Sequence, residues 1–373
     1  MRRAAWALGG FLLLAGCGDG GDFSPAGEMA TARHGHTAVL TGPGRVLLAA
    51  GMAQKGPLAS AEIYDASKGA FEALPPLGIR PRGWHQATLL RDGRVLLTGG
   101  WLNSNTALRE AVLIPPRGGP ARRVKMLRGR YDHTATLLPD GRVLITGGTD
   151  GRRAMRAVEI FDPRTDTLAR PERPLRVARS QHTATLLAGG GVLIVGGAEG
   201  RQGRYAEIYD PARERSRLVR SLLSSDRRRH TATRLRDGRV LIAAGLGPRR
   251  TLRSAEIFDP KTERFTPVPG GTRQERQQHT ATLMPDGRVL LLGGWGRGKT
   301  LASGEVFDPR GGCFTALPSS LRLERRFHTA TLLGEGKVLI AGGASDNEVL
   351  AAAELLRLPP RSETGGDCAR PGK

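Results

Sequence analysis

The 373-residue sequence predicts an all-β fold, a seven-bladed β-propeller with four-stranded blades. Three observations predict it. A histidine-centred tetrad recurs at a nearly constant interval, a turn sequence such as Asp-Gly-Arg-Val separates two apolar segments, and a Gly pair closes the second segment. The composition agrees, because 52 glycines, 5% aromatic and 25% charged residues exclude collagen, long coiled coils, polytopic membrane proteins and wholesale disorder.

The repeat is marked by the tetrad H-T-A-T and its variants, which begin at His36, His85, His133, His182, His230, His279 and His328. Each histidine has an arginine three residues before it. In six copies a glutamate stands on the predicted third strand, at Glu62, Glu159, Glu207, Glu256, Glu305 and Glu354, whereas the second repeat has Val112 there. A residue present in every blade is expected to hold the blade, so we predict that the histidines are hydrogen-bonded and paired within or between blades. We expect no metal site.

The strands of each repeat, called a to d in chain order, follow from its turns. An Asp-Gly dipeptide such as Asp140-Gly141 predicts a type I′ hairpin turn between strands a and b. Strand b, such as Val143–Thr146, is apolar on both faces, as expected between two neighbouring sheets. The Gly pair, such as Gly147-Gly148, lets the backbone turn where neighbours crowd it. An Asp-Pro step, such as Asp210-Pro211, ends strand c and leads to strand d.

Ring closure is predicted from the two ends of the chain. The last repeat supplies strands a, b and c, from His328 to about Leu358, but no strand d. Phe23-Ser24-Pro25 precedes the first repeat at nearly the distance at which Phe265-Thr266-Pro267 precedes the sixth. We therefore expect the N-terminal segment to complete the last blade, which removes an exposed sheet edge. The alternative is a six-bladed ring with one spare repeat.

These motifs together resemble the kelch repeat over essentially the whole mature chain, and the H-T-A-T-L…D-G-R-V-L-x-x-G-G form is similar to the repeats of the galactose oxidase propeller. The second resemblance implies, for a catalytic relative, a copper site with a modified tyrosine and a cysteine partner. Here the tyrosines are scattered, at Tyr64, Tyr131, Tyr205 and Tyr209, and Tyr64 and Tyr209 occupy the ordinary strand c position. We therefore expect a protein that is not an enzyme and uses no cofactor. The alternative is a galactose oxidase-like or other carbohydrate-active enzyme.

The N-terminus predicts an export signal. Residues 1–16 combine Arg2 and Arg3 with an apolar segment too short to span a bilayer, and they end at Leu14-Ala15-Gly16-Cys17, which resembles the lipobox of bacterial lipoproteins. The resemblance implies lipidation of Cys17, and Gly18 favours the outer membrane. Simple secretory cleavage is the alternative. We divide the chain into the signal peptide (1–16), a lipidated tether (17–22), the propeller (23–360) and a C-terminal tail (361–373).

Topology predicts which face lies near the membrane. We call the end of the ring where strand a begins the top and the opposite end the bottom. Strand d runs from bottom to top, so a lipidated tether enters at the bottom and the top points away from the membrane. Cys313 and Cys368 are both expected at the bottom, where they could form a disulfide in an oxidising compartment or remain two free thiols.

Residues that depart from the repeat are the candidate ligand-binding residues. The aromatic ones are expected on the top face, at Trp84, Trp101, Trp295 and Phe327, either covering neighbouring loops or forming platforms for sugars or a partner. The basic ones follow the Gly pairs, at Arg153, Arg204, Arg250 and Arg297. Of the 57 basic residues 50 are arginine, and the net charge is +22. This excess indicates either an anion-binding arc or only a GC-rich coding sequence.

These observations predict a lipid-anchored binding or scaffold module of the bacterial cell envelope, facing the periplasm or the exterior. We expect its top face to bind a protein partner or an acidic polysaccharide. Nucleic acid is not expected, because the protein is exported. We expect a monomer that meets the membrane through its lipid anchor only.

Overall fold

Seven antiparallel four-stranded sheets make up most of the described chain in the computed structural model. The structure describes residues 22–358 except residues 105, 117 and 199, and the side chains of residues 200 and 201 are also left out. Each sheet is one blade. Three short two-stranded hairpins extend the b-to-c loops of blades 1, 2 and 6, and a short 3-10 helix (Gly200–Arg204) lies in that loop of blade 4.

The strands, in chain order, are β1 (Asp22–Glu28), β2 (Thr37–Gly42), β3 (Arg45–Ala49), β4 (Met52–Ala53), β5 (Gly56–Pro57), β6 (Ala61–Asp65), β7 (Ala70–Ala73), β8 (Gln86–Leu89), β9 (Val95–Thr98), β10 (Trp101–Asn103), β11 (Thr106–Ala107), β12 (Glu110–Ile114), β13 (Arg122–Lys125), β14 (Thr134–Leu137), β15 (Val143–Thr146), β16 (Val158–Asp162), β17 (Thr167–Ala169), β18 (Thr183–Leu186), β19 (Val192–Val195), β20 (Ala206–Asp210), β21 (Arg215–Leu218), β22 (Thr231–Arg234), β23 (Val240–Ala243), β24 (Ala255–Asp259), β25 (Arg264–Pro267), β26 (Thr280–Leu283), β27 (Val289–Leu292), β28 (Trp295–Gly296), β29 (Lys299–Thr300), β30 (Gly304–Asp308), β31 (Cys313–Ala316), β32 (Thr329–Gly334), β33 (Lys337–Ala341) and β34 (Ala352–Arg357).

The blades follow one another around a closed ring. From strand a to strand d they are β2-β3-β6-β7, β8-β9-β12-β13, β14-β15-β16-β17, β18-β19-β20-β21, β22-β23-β24-β25, β26-β27-β30-β31 and β32-β33-β34-β1. The seven inner strands contact each other in a complete cycle, and β32 of blade 7 contacts β2 of blade 1. The seven-bladed prediction is therefore confirmed.

The N-terminal strand completes the last blade, as predicted. β1 pairs antiparallel with β34, with Phe23 opposite Leu356 and Pro25 opposite Glu354. β1 begins at Asp22, one residue before the predicted boundary, and Asp22 pairs with Arg357 at the bottom of the ring. Both ends of the described chain therefore lie on the bottom face.

Apolar contacts between neighbouring blades form the core. Strand b is buried along its whole length in blades 2 to 6, as in Val143–Thr146, and beyond its first residue in blades 1 and 7, because a sheet covers each of its faces. Seven apolar clusters lie within the described residues, one between each pair of adjacent blades. Each cluster combines strand b residues of two blades, such as Leu97 and Leu47 between blades 1 and 2. Each blade is thus stabilised by both of its neighbours.

The a-to-b turn differs from the type I′ prediction. In blade 3, Gly141 has φ +89° while Asp140 is not in the left-handed region, and the Gly141 N–H donates to the carbonyl of Leu138 at 3.0 Å. The two central residues are therefore Pro139 and Asp140, and the glycine follows them. The Asp140 carboxylate accepts the N–H of Arg142 at 3.0 Å, a local bond that favours this longer turn.

The Gly pair lies where two blades crowd each other, as predicted. A Cβ on Gly99 would stand 2.2 Å from the carbonyl oxygen of Arg130 in blade 3, and Gly99 has φ +57°. The next residue, Gly100, donates its N–H to that same carbonyl at 2.8 Å. The glycines therefore permit a direct backbone contact between blades.

Cys313 opens β31 on the bottom side of blade 6 and is disulfide-bonded. Its predicted partner Cys368 and the lipidation candidate Cys17 lie outside the described residues, as do the signal peptide and the C-terminal tail, so these stay predictions. No helix in the described part of the chain is long and apolar enough to cross a membrane.

Candidate functional site

A buried ion pair in each blade holds the top loops in place. In blade 3 the Arg130 guanidinium donates to Glu159 at 2.5 Å and to the carbonyl of Gly147 at 2.7 Å. Glu159 also accepts the N–H groups of Leu127 and Arg128 in the d-to-a connection. The pairs are Arg33–Glu62, Arg82–Glu110, Arg130–Glu159, Arg179–Glu207, Arg227–Glu256, Arg276–Glu305 and Arg325–Glu354. Because all seven arginines are buried and each is paired with a glutamate, they are structural.

Blade 2 keeps this pair through a different residue. Val112 occupies the strand c position where other blades have glutamate, opposite Leu97 of strand b. Glu110, two residues earlier, accepts from Arg82 at 2.6 Å. The repeat pattern does not indicate this exchange, because Glu110 stands where blades 1, 3, 5, 6 and 7 have a Ser or Ala whose carbonyl accepts from the arginine.

The seven repeat histidines link adjacent blades. Each Nε2 lies 2.7 to 3.1 Å from a threonine Oγ1 of the preceding blade, as in His85 with Thr37 and His36 with Thr329. Burial lowers the pKa of all seven, to about 3 for His85, His182 and His328. The rings are therefore neutral at pH 7, and the prediction of hydrogen-bonded, structural histidines is confirmed.

The residue before each histidine forms a ring around the axis at the top, which we call the collar: Gly35, Trp84, Asp132, Gln181, Arg229, Gln278 and Phe327. Each collar N–H donates to the carbonyl of the collar residue in the preceding blade, at 2.9 to 3.2 Å, and the seven bonds close a circle. All seven residues have left-handed φ values of +50° to +58°. That conformation costs a non-glycine residue about 1 kcal/mol or more. Six side chains are thus kept at positions where glycine would be less strained.

The collar surrounds a recess of about 610 Å³ on the axis, which we call the collar recess. Its aromatic wall comes from blades 7, 2 and 3. The Trp84 and Trp101 rings meet edge to face at 5.6 Å, and Tyr131 lies 6.5 Å from Trp84. A Cβ on Gly35 would stand 3.0 Å from the Trp84 indole nitrogen, so the glycine leaves room for that ring. Phe327 continues the wall on the other side of Gly35.

The opposite wall of the collar recess is polar. Gln181 donates its side-chain amide to the Asp132 carboxylate at 2.9 Å. Burial raises the pKa of Asp132, although the Gln181 bond and nearby Arg229 oppose this. Burial also lowers the pKa of Arg229, whose guanidinium carbon lies 5.8 Å from the centre of the Phe327 ring. The recess therefore combines stacking surfaces with hydrogen-bonding groups, as small-molecule sites usually do.

The structure brings only part of the predicted ligand-binding set together. Trp84, Trp101 and Phe327 line the collar recess. Trp295, the equivalent of Trp101 in blade 6, is half-buried and is not among the recess residues. The predicted arginines lie away from the axis, exposed in the b-to-c loops, at Arg153, Arg204, Arg250 and Arg297.

Arg153 and Arg250 line two separate peripheral grooves, so these arginines do not form one site with the aromatic residues. The polar collar residues Asp132 and Gln181 were not singled out by sequence reasoning. The signal that marks them is their position, one before the repeat histidine, where the residue type changes from blade to blade.

Comparison with known proteins agrees with the fold. The model of the kelch motif matches residues 130–167 and 279–320, most of blades 3 and 6. Among solved structures the chain is similar to a novel fungal alcohol oxidase with catalytic diversity among the AA5 family, in complex with copper. The TM-score is 0.77 at 17% identity, and the match covers 94% of this chain and 79% of that one. No curated protein matches. At this identity the similarity shows the fold.

Among the described residues, the side chains do not fit a copper centre. Within residues 22–358, as far as they are described, no group of three His, Cys, Asp or Glu side chains is arranged to hold a metal ion. Every repeat histidine turns its Nε2 to a threonine. Tyr131 lines the collar recess, but Cys313 lies on the bottom face, so the two cannot be partners.

Proposed function

We propose that this seven-bladed propeller with kelch repeats is a glycan-binding module, and that the collar recess is its binding site. The observation that carries the proposal is the collar itself. Six large or polar side chains, including Trp84 and Phe327, stand at left-handed positions that glycine would occupy with less strain. Strain retained around a recess favours a role in binding over a role in stability, which the buried arginines and histidines already serve.

The chemistry of the collar recess fits a sugar ring. Tryptophan stacks on the apolar face of a pyranose, and Trp84 with Trp101 offers such a surface. Asp132, Gln181 and Gln278 offer hydrogen-bonding groups to the hydroxyls. Two larger grooves, each of about 850 Å³, contain no aromatic residue. This contrast supports the collar recess, and not the larger grooves, as the sugar-binding site.

A recess of this size also favours a glycan over a protein partner. A stable protein interface buries about 800 Å² of each partner, usually across a broad surface. The exposed arginines that could widen the contact lie in separate loops. We therefore rank a protein partner below a glycan as the ligand. The binding test described below distinguishes the two.

The location is part of the proposal. Lipidation of Cys17 would hold the bottom face at the envelope membrane, since β1 enters the ring at Asp22 on that face. The collar recess would then open away from the lipid. Replacing Cys17 by Ser should move the protein from the membrane fraction to the soluble fraction, and retention in the membrane would contradict lipid anchoring.

The glycan proposal is tested by titrating the purified protein with a panel of neutral and acidic oligosaccharides in a calorimeter. Trp84→Gly removes the stacking surface and leaves a residue that adopts φ +50° without strain. Trp295→Phe is the matched control, because Trp295 lies outside the collar recess. We expect Trp84→Gly to weaken binding at least roughly fivefold, since a lost stacking contact costs about 1 to 3 kcal/mol, and Trp295→Phe to bind like wild type.

Equal loss in both variants would contradict the assignment of the site. Failure of the whole panel, with a defined protein bound instead, would replace the glycan by a protein partner. The fold similarity also raises an oxidase as the alternative. Stoichiometric copper in the purified protein together with alcohol-dependent oxygen consumption would overturn the binding proposal.

A further inference from the structure

One arginine of the collar recess has no hydrogen bond from its side chain to any described residue. Arg229 uses its backbone N–H and carbonyl in the collar, but its guanidinium only faces the Phe327 ring at 5.8 Å. The side chain is half-buried. By contrast, the arginine two residues earlier, Arg227, is bonded to Glu256 and to the carbonyl of Ala244. Arg229 therefore keeps up to five donors for something outside the described chain.

Charged groups of both signs surround this guanidinium. Arg228 and Arg326 lie close enough to lower the pKa of Arg229 further, after burial as the main cause, and Asp132 alone opposes them. Asp132 is itself engaged by Gln181, and Arg326 lies 3.5 Å from Asp346. Counting Arg229 itself, three cations (with Arg228 and Arg326) stand against the two carboxylates Asp132 and Asp346, an excess of one positive charge.

We propose that the collar recess selects sugars that carry a carboxylate, and that Arg229 binds the carboxylate. This inference rests on the proposed function. A guanidinium matches a carboxylate with two parallel N–H donors, and stacking on an aromatic ring keeps its edge available for that pair. Arg229 and Phe327 are separated by one collar residue, Gln278, and Gly35 follows Phe327 before Trp84. A ring stacked on Trp84 can therefore extend its carboxylate across the recess towards Arg229.

This mode differs from attraction by the exposed arginines. Arg153 and Arg297 are in solvent, where salt screens them, and they lie on different blades. A single half-buried pair is screened less. Binding through Arg229 should therefore fall less than roughly tenfold between 0.05 and 0.5 M salt, whereas binding through a solvent-exposed arc should fall far more steeply.

The test compares two disaccharides that differ only in the terminal sugar, glucuronic acid or glucose, by calorimetry on the full chain. Wild type should bind the acidic sugar roughly 10- to 100-fold more tightly, the range for hydrogen bonds to charged groups. Arg229→Gln should abolish that preference, because the acidic sugar then loses its charged partner and binds no more tightly than the neutral one. Arg297→Gln, a change in an exposed loop, should leave both affinities unchanged.

A second variant should change the affinity for the acidic sugar in the direction opposite to Arg229→Gln. Asp132→Asn keeps the shape of the side chain but removes the negative charge that faces Arg229, so it should tighten binding of the acidic sugar roughly threefold or more. If Arg229→Gln disturbs folding, Arg229→Gly replaces it, because glycine adopts φ +53° freely.

Equal affinity of wild type for the two sugars, or a preference that survives in both Arg229 variants, would overturn the carboxylate inference and leave the glycan proposal intact. Failure to bind either sugar would count against both.

Discussion

Acid should destabilise the propeller from about pH 6.5 downward, because its seven repeat histidines are buried as neutral rings. Burial lowers their pKa in the folded chain, to about 3 for His85, His182 and His328. The unfolded chain titrates near 6.5. Below that pH the unfolded chain binds protons that the native chain does not, so the free energy of unfolding falls as the pH falls.

The size of the effect follows from the pKa difference. Below pH 6.5 each buried histidine lowers the free energy of unfolding by about 1.4 kcal/mol per pH unit, which amounts to about 2 kcal/mol at pH 5. Seven such residues remove roughly 14 kcal/mol, which is comparable to the whole stability of a typical domain, about 5 to 15 kcal/mol. Carboxylates with a lowered pKa, such as Asp162 at about 2, withdraw their contribution only below about pH 4. Histidine protonation should therefore dominate acid unfolding.

The assay is urea unfolding followed by tryptophan fluorescence at pH 7.5, 6.5, 6.0 and 5.5, combined with potentiometric measurement of proton uptake. Unfolding at pH 5.5 should take up roughly six protons. His279→Gln, which removes one buried ring beside Thr231, should take up one proton fewer and show a correspondingly shallower dependence on pH. A free energy of unfolding that stays constant from pH 7.5 to 5.5, or an uptake below about two protons, would refute the reasoning.

Three further changes test the fold. Glu110→Gln should lower stability by about 3 to 5 kcal/mol in urea unfolding, because Arg82 is left buried without its carboxylate; a loss below 1 kcal/mol would mean that Glu110 is not the partner. Gly99→Ala should cost more than about 2 kcal/mol, since its Cβ meets a carbonyl of the next blade, whereas Gly69→Ala, also at positive φ but in open space, should cost about 1 kcal/mol. Equal urea midpoints for the two glycine variants would count against the crowding argument. Removing residues 22–28 should expose the edge of blade 7 and cause self-association in light scattering, and a monomer with an unchanged melting temperature would contradict closure by the N-terminal strand.

Blade 2 shows where repeat alignment stops being informative. At the third-strand position the sequence has Val112, and the alignment there indicates a missing ion pair. The structure restores the pair through Glu110, because a glutamate one position before the strand c alanine can reach the same guanidinium. An alignment compares positions along the chain, whereas an ion pair needs only that two charged atoms meet.

The turn between strands a and b shows a similar limit. The Asp140-Gly141 dipeptide correctly predicts a hairpin. The predicted turn type, I′, is wrong. The proline before Asp140 and the bond from Asp140 to the Arg142 N–H shift the turn by one residue. Local competition between hydrogen bonds, not the dipeptide, decides such details.

The sequence by itself determined the blade number, the four strands of each blade, the closure by Phe23–Pro25 and the structural role of the repeat histidines. The motifs of the blade repeat every 48 or 49 residues, so each is observed several times in one chain. Only the tertiary structure decided the candidate site. Trp84, Asp132, Arg229 and Phe327 are far apart in sequence, and each is a departure from the repeat that carries no pattern of its own. They meet because closing the ring brings the residue before each histidine to the same axis, where seven backbone bonds hold their side chains around one recess.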